Sequence, residues 1–169
     1  MTETISQEAI RVHERLTNNF IYFAKHCLRI KDKAGHLVPF TLNKAQTYIH
    51  NQVEKQLRET GRVRALIPKA RQGGISTYVS GRFYHHNNRL GNKSTFILSH
   101  QSTTTGALFN MVQRYHDNCP EPARPKAVVS NKRQLKFENG SEYTVGTAGS
   151  GDVGRGFTTQ YLHLSEAAF

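Results

Sequence analysis

A short glycine-containing segment holds the residues with the clearest chemical potential in this sequence. It runs Lys69-Ala70-Arg71-Gln72-Gly73-Gly74-Ile75-Ser76-Thr77. A phosphate cradle needs free backbone N–H groups, little side-chain bulk, the start of a helix, a hydroxyl group for Mg²⁺ and a cation. Gly73-Gly74 and a following helix meet the first three needs, and Ser76 supplies the hydroxyl group. The segment therefore predicts a nucleotide-binding loop, with an ordinary strand-to-helix turn as the alternative.

The segment departs from the common phosphate-loop pattern G-x-x-x-x-G-K-[ST]. Gly74 and Ser76 fit this pattern, but Lys69 stands where the first glycine belongs and Ile75 where the lysine belongs. Lys69 and Arg71 are both candidates for the cation, and the sequence leaves the choice between them open.

Two further segments hold residues that suit a nucleotide site. Gln46 follows Phe40, and its amide matches the N6 donor and N7 acceptor of adenine, so we predict that Gln46 binds the base while Phe40 packs against it. The apolar run Tyr161–Leu164 ends in Ser165-Glu166, which predicts a strand that carries a carboxylate to the ligand-binding edge of a sheet. Arg155, in a glycine-rich stretch, is a candidate phosphate sensor or DNA contact.

Alternating helical and extended segments are expected to position these residues. Apolar spacing predicts one amphipathic helix over residues 5–30 that packs on a core, and a second helix that ends near Glu59, capped by Thr41 or Asn43. Residues 63–67 predict the strand before the loop. Helices follow over 77–90 and 103–118, strands over 94–98, 127–129 and 161–164, and a hairpin around Asn139-Gly140. This order predicts an α/β fold with a mainly parallel sheet flanked by helices.

The charge of the chain favours a polyanionic partner. Lys and Arg total 23 against 12 acidic residues, a formal net charge of +11, which points to nucleic acid. No apolar stretch is long enough for a membrane span and the N-terminus does not resemble a signal peptide, so we expect a cytoplasmic protein without membrane contact. Cys27 and Cys119 form no disulfide framework, and the nine histidines show no metal-ligand spacing.

Taken together, these segments resemble the large terminase subunit of tailed bacteriophages, the ATPase that packages DNA into the prohead. The resemblance covers roughly residues 20–169. It rests on Pro39-Phe40-Thr41-Leu42 with Gln46, on Ala70-Arg71-Gln72-Gly73-Gly74-Ile75-Ser76-Thr77, and on Leu162-His163-Leu164-Ser165-Glu166-Ala167-Ala168-Phe169. It implies a P-loop NTPase three-layer sandwich, incomplete here. Residues 1–38 would form an N-terminal helical segment and linker, and 39–169 the N-terminal part of the ATPase domain, without the nuclease domain.

The resemblance also implies roles for individual residues. Glu166 would activate the attacking water, Lys69 or Arg71 would neutralise phosphate charge, and Ser76 would bind Mg²⁺. Ser165 stands where the family usually has aspartate, so it would hold a metal-bound water instead. The ATP-binding set is Phe40, Gln46, Gln72, Gly73, Gly74, Ile75, Ser76 and Thr77. The implied cofactors are ATP and Mg²⁺. The implied partners are double-stranded DNA, the portal protein and the small terminase subunit, in a homo-oligomeric ring in the host bacterial cytoplasm.

Two other functions fit the same residues. A helicase-like, nucleic-acid-dependent ATPase shares the glutamine, the phosphate loop and the acidic strand end. A basic DNA-binding domain with a degenerate, non-hydrolysing loop is favoured by Ile75 and Ser165. We also expect the chain alone to hydrolyse ATP poorly, because in such ATPases a later strand lies between the loop strand and the glutamate strand.

Overall fold

The computed structural model describes residues 6–68, 73–149 and 158–165. This part of the chain forms five α-helices and seven β-strands. In order they are α1 (Gln7–Asn18), α2 (Phe20–Cys27), β1 (Arg29–Lys31), β2 (Leu37–Pro39), α3 (Lys44–Thr60), α4 (Ile75–Leu90), β3 (Ser94–Ser99), α5 (Ser102–Asp117), a 3₁₀ turn (Glu121–Ala123), β4 (Ala127–Ser130), β5 (Gln134–Phe137), β6 (Glu142–Thr147) and β7 (Tyr161–Ser165).

The main sheet has five strands in the order β4-β5-β6-β3-β7. Strand β3 pairs in parallel with β6 on one side and with β7 on the other. Strands β4 and β5 extend the sheet with antiparallel pairings. The hairpin predicted around Asn139-Gly140 is confirmed as the β5–β6 connection, where Gly140 has φ +78°. The α/β class with parallel central strands is therefore confirmed, and a separate two-stranded sheet joins β1 to β2.

Helix α4 is the central element of the core. It packs against the sheet on one side, where Tyr143 donates a hydrogen bond to the Ser80 carbonyl over 3.4 Å. On its other side, Gly81 leaves room for Leu28 and Phe40, which would lie 3.1 and 3.2 Å from an added Cβ. Substituting alanine at this position would force those side chains to move.

The sheet face opposite α4 is partly uncovered in the described structure. Tyr161 packs against Phe83 and His86 of α4, with ring centroids 5.2 and 5.1 Å apart. Because successive residues of a strand face opposite sides, Leu162 and Leu164 point the other way, and they are 53% and 51% exposed. The described part of the chain thus places helices against one face of β7.

The N-terminal region differs from its prediction in two respects. The single helix expected over residues 5–30 is two helices, because the Asn19 side chain accepts a hydrogen bond from the Tyr22 N–H over 2.9 Å and starts α2 afresh. The predicted packing of the stripe on the core is confirmed only in part for its first half, where Leu16 packs against the core without being buried. Helix α1 buries none of its residues, whereas α2 buries Phe20, Phe23, Ala24 and Cys27. No helix among the described residues is long and apolar enough to cross a membrane.

The strand predicted for residues 63–67 is absent, because this segment pairs with no strand of the described sheet. It lies instead along α3, where the Gln56 amide accepts from the Arg64 N–H over 3.0 Å and donates to the Arg64 carbonyl over 3.3 Å. Leu66 is 97% exposed. An apolar run becomes a strand only when a neighbouring strand supplies its hydrogen bonds, and none of the described strands lies beside residues 63–67.

We expect two buried histidines to make the fold sensitive to acid. Burial lowers the pKa of His85 to about 4 and that of His86 to about 3. The His85 Nε2 lies 2.8 Å from the Leu16 carbonyl, to which a neutral ring donates. In the unfolded chain both titrate near pH 6.5, so the unfolded state binds more protons below that pH and stability falls as the pH drops towards 4. The free energy of unfolding should fall by about 2 kcal/mol per histidine between pH 7 and 5.

Urea unfolding at pH 7.5 and at pH 5 measures this loss. His86→Phe should reduce the loss of stability between pH 7 and 5 by about 2 kcal/mol, the contribution of this one side chain, whereas His36→Gln, at an exposed position, is the matched control. An equal loss in both variants would show that other groups dominate.

Candidate functional site

The described part of the predicted phosphate loop is the start of α4. Gly74 is the N-cap residue, with φ +72° and no side-chain cap. This left-handed conformation favours glycine, and the next backbone N–H groups belong to the open first turn of a 16-residue helix. The predicted residues Lys69, Arg71 and Gln72 lie outside the described residues, so the structure does not place the cation.

Gln46 fixes this turn in the described structure. Its Oε1 accepts from the Asn43 N–H over 2.9 Å, and its Nε2 donates to the Gly74 carbonyl over 2.7 Å. The Asn43 side chain in turn accepts from the Gln46 N–H over 2.9 Å, completing a capping box at the start of α3. Gln46 is 4% exposed. Its amide keeps one N–H and one acceptor position beyond these two bonds, and base recognition stays a prediction.

Asn43 is a site residue that the sequence analysis named only as a helix cap. Its Nδ2 donates to the Gly73 carbonyl over 3.4 Å, so Asn43 and Gln46 together hold both glycines of the loop. Asparagine followed three residues later by glutamine is a capping-box pattern. That pattern predicts the helix start but not the contact with a loop about 30 residues away in the chain.

Phe40 lies in the hydrophobic core. It is 1% exposed, and its ring stacks on Tyr115 at 6.5 Å with an interplanar angle of 5°. Tyr115 also donates a hydrogen bond to the Thr77 carbonyl over 3.1 Å. Phe40 therefore supports the first turn of α4 through Tyr115, and its predicted contact with a base remains untested.

The first turn of α4 and the end of β7 lie at the same edge of the sheet. Tyr161, at the start of β7, contacts Phe83 and His86 in the second half of α4. Four residues later along the strand, about 13 Å further on, Ser165 lies towards the beginning of α4. Ser165 pairs with Ser99 and is 6% exposed. The parallel strands thus bring Gly74 and Ser165 to their shared carboxyl edge, where ligands bind in open α/β sheets.

The structure describes only some of the other predicted site residues. Ile75 is 7% exposed, so its side chain points into the core and only its backbone is available to a ligand. Ser76 and Thr77 follow it in the first turn of α4. Glu166 and Arg155 lie outside the described residues. Their roles, and the water-mediated metal contact of Ser165, stay predictions.

A buried ionic cluster lies behind the loop and was missed by the sequence analysis. Arg82 of α4 forms a salt bridge with Glu54 of α3, and its side chain is 8% exposed. His50 lies 3.2 Å from the Tyr78 hydroxyl group, and burial raises the pKa of Tyr78 to about 12. These contacts join α3 to α4, so they help to hold Gln46 against Gly74. In the described ranges, no group of three or more His, Cys, Asp or Glu side chains is placed to hold a metal ion.

The comparisons with known proteins find similarity in structure and none in sequence. No protein-family model and no curated protein sequence matches the chain. The structure is similar to the crystal structure of the HK97 bacteriophage large terminase, with a TM-score of 0.68 and 17% sequence identity over 90% of this chain. The match spans 30% of the terminase chain. At this identity the similarity shows the fold, so the chain has a terminase-like α/β fold.

Proposed function

We propose that this chain is the ATP-binding and hydrolysing part of a viral DNA-packaging motor of the large terminase type. The observation that carries the proposal is the position of Gly73-Gly74. Gly73 precedes α4 and Gly74 is its N-cap residue, and α4 begins towards the edge of the sheet at which the parallel strands β3 and β7 end. The terminase-like fold supports it. The proposal includes a P-loop NTPase three-layer architecture, of which residues 39–169 form the N-terminal part.

The residues at the start of α4 fit a nucleotide phosphate. A Cβ at Gly74 would lie 2.7 Å from the Gln46 Nε2, so the turn keeps side-chain bulk away from its backbone N–H groups. A helix start of this kind binds anions through those N–H groups and the helix dipole. Residues 72–76 would hold the phosphates, Ser76 would bind Mg²⁺, and Lys69 or Arg71 would add positive charge. When bound, ATP with Mg²⁺ supplies the phosphoryl group that is transferred to water.

The other residues of the site would position and activate that water. Glu166 follows Ser165 directly and would accept a proton from the water, while Ser165 would hold a metal-bound water. Arg155 would sense phosphate or contact DNA. The proposed partners are double-stranded DNA, the portal protein and the small terminase subunit, with a homo-oligomeric ring as the working assembly in the host cytoplasm.

Titration with Mg²⁺ and ATP tests the proposal and the choice of cation. We expect the wild-type chain to bind ATP, and Lys69→Ala or Arg71→Ala to weaken binding by about tenfold, since a charge-assisted hydrogen bond to phosphate is worth about 1.5–3 kcal/mol. Lys44→Ala, an exposed cation on α3, is the control. If neither variant changed ATP affinity, the assignment of the cation would be wrong, and a wild-type chain without ATP affinity would contradict the proposal.

A second function is favoured by one observation. Ile75 stands where the usual lysine belongs, and its side chain is buried in the core. A loop without that lysine suits a DNA-binding domain that binds nucleotide without hydrolysing it. ATP binding without detectable phosphate release, unchanged by Ile75→Lys, would favour this function over the motor ATPase.

A further inference from the structure

The β4–β5 hairpin gathers a large share of the exposed positive charge. Residues 124–137 contain five cations and no carboxylate, namely Arg124, Lys126, Lys132, Arg133 and Lys136. Arg124 lies 3.9 Å from Glu121, and Lys126 lies 2.9 Å from Glu138. Among the described residues, none of the salt bridges involves Lys132, Arg133 or Lys136. These three exposed side chains therefore form a positive surface, which we call the basic turn.

Hydrogen bonds hold the tip of the basic turn in one conformation. The Asn131 Oδ1 accepts from the Arg133 N–H over 2.8 Å and from the Gln134 N–H over 2.9 Å. The Asn131 carbonyl accepts from the Gln113 side chain over 3.0 Å, which ties the tip to α5. A tip fixed in this way loses little conformational entropy when it binds a ligand.

The basic turn lies at the same sheet edge as the proposed nucleotide site. Strand β5 runs antiparallel to β6, with Gln134 opposite Thr144, and the Val145 N–H donates to the Arg133 carbonyl over 3.1 Å. The tip therefore lies near the carboxyl end of β6. Three strand spacings separate β5 from β7, a distance of about 14 Å across the sheet. An open depression of about 560 Å³ adjoins the tip, with Thr144 and Val145 at its base.

We infer that the basic turn is a docking surface for the phosphate backbone of duplex DNA. Lysine and arginine side chains contact backbone phosphates without reading sequence. Glu142 of β6 lies opposite Lys136, so the exposed Lys132 and Arg133 at the tip supply the positive charge that favours a polyanion. The inference rests on the proposed function for the identity of the polyanion. Because both sites lie at this edge of the sheet, a structural change at the nucleotide site could alter the position of DNA bound to the basic turn.

Binding to a fluorescent duplex of about 30 base pairs, measured by anisotropy between about 50 and 250 mM salt, tests the inference. Lys132→Ala with Arg133→Ala should weaken binding ten- to thirtyfold and reduce the slope of log affinity against log salt by about 2, since two phosphate contacts are lost. The exchange of Lys132→Arg with Arg133→Lys keeps both charges and should bind within twofold of the wild type.

Lys31→Ala with Lys33→Ala is the matched control, because it removes two exposed cations that belong to the β1–β2 hairpin and not to the basic turn. It should change affinity by less than twofold. Equal weakening by both double variants would overturn the inference, because net charge alone would then explain the binding. No weakening by Lys132→Ala with Arg133→Ala would also overturn it, because the basic turn would then not contact the duplex. Tighter binding of a single strand than of the duplex would overturn the choice of partner. ATP affinity measured on the same samples separates the two proposals, since a chain that binds ATP but not DNA loses only the docking surface.

Discussion

Gly74→Ala is expected to lower the free energy of unfolding by about 3 kcal/mol. At φ +72° an alanine costs about 1–2 kcal/mol relative to glycine. Its Cβ would also lie 2.7 Å from the Gln46 Nε2, which must then leave the Gly74 carbonyl. A buried amide without its acceptor costs about a further 1–3 kcal/mol. Because the same turn presents the backbone N–H groups of the proposed loop, ATP affinity should fall by at least tenfold.

Variants at two other glycines separate the cost of the left-handed backbone conformation from the cost of the lost hydrogen bond. Gly61 has φ +70° but meets nothing within 4 Å, so Gly61→Ala should cost only the conformational part, about 1 kcal/mol. Gly106 lies inside α5 with open space around it, so Gly106→Ala should stabilise the fold by about 0.5–1 kcal/mol. Chemical denaturation of the three variants measures the series. If Gly74→Ala cost no more than Gly61→Ala, Gln46 would not be fixing the loop.

The sequence predicted best the elements whose signals are local. Helix α3 begins at Asn43, one of the two predicted caps, and ends at Thr60, one residue beyond the predicted end. These signals are reliable because a cap and a left-handed glycine such as Gly61 act within a few residues of themselves. Periodicity was less reliable in the N-terminal region. It joined two helices across Asn19 and predicted burial for α1, since a stripe of apolar residues does not specify which surface will cover it.

The errors and gaps at the candidate site come from long-range contacts. Residues 63–67 have the composition of a strand, but strand pairing depends on a neighbour that no local pattern identifies. Gln46 has the chemistry to bind adenine. Its contact with Gly74 could not be predicted, because local patterns do not connect the loop to the start of α3. The basic turn was also missed, although Lys132, Arg133 and Lys136 lie within five residues of one another. Its position at the carboxyl end of β6 depends on the pairing of β5 with β6, which no local pattern specifies.

Glu166→Gln is expected to reduce the rate of ATP hydrolysis by a hundredfold or more, while ATP affinity stays within about threefold. A positioned general base contributes about 10²–10⁴ in rate, and glutamine keeps the shape of the side chain but accepts no proton. Strand β7 carries Ser165 to the edge where α4 begins, and Glu166 is the next residue.

Since residues 63–68 lie outside the sheet, we expect the wild-type rate of ATP hydrolysis itself to be low, so release of radiolabelled phosphate gives the required sensitivity. Glu121→Gln is the control, at a carboxylate whose side chain is 91% exposed. Equal hydrolysis by Glu166→Gln and the wild type would remove Glu166 from the reaction. If the wild type bound ATP and released no phosphate at all, the chain would act as a nucleotide-binding domain rather than an ATPase.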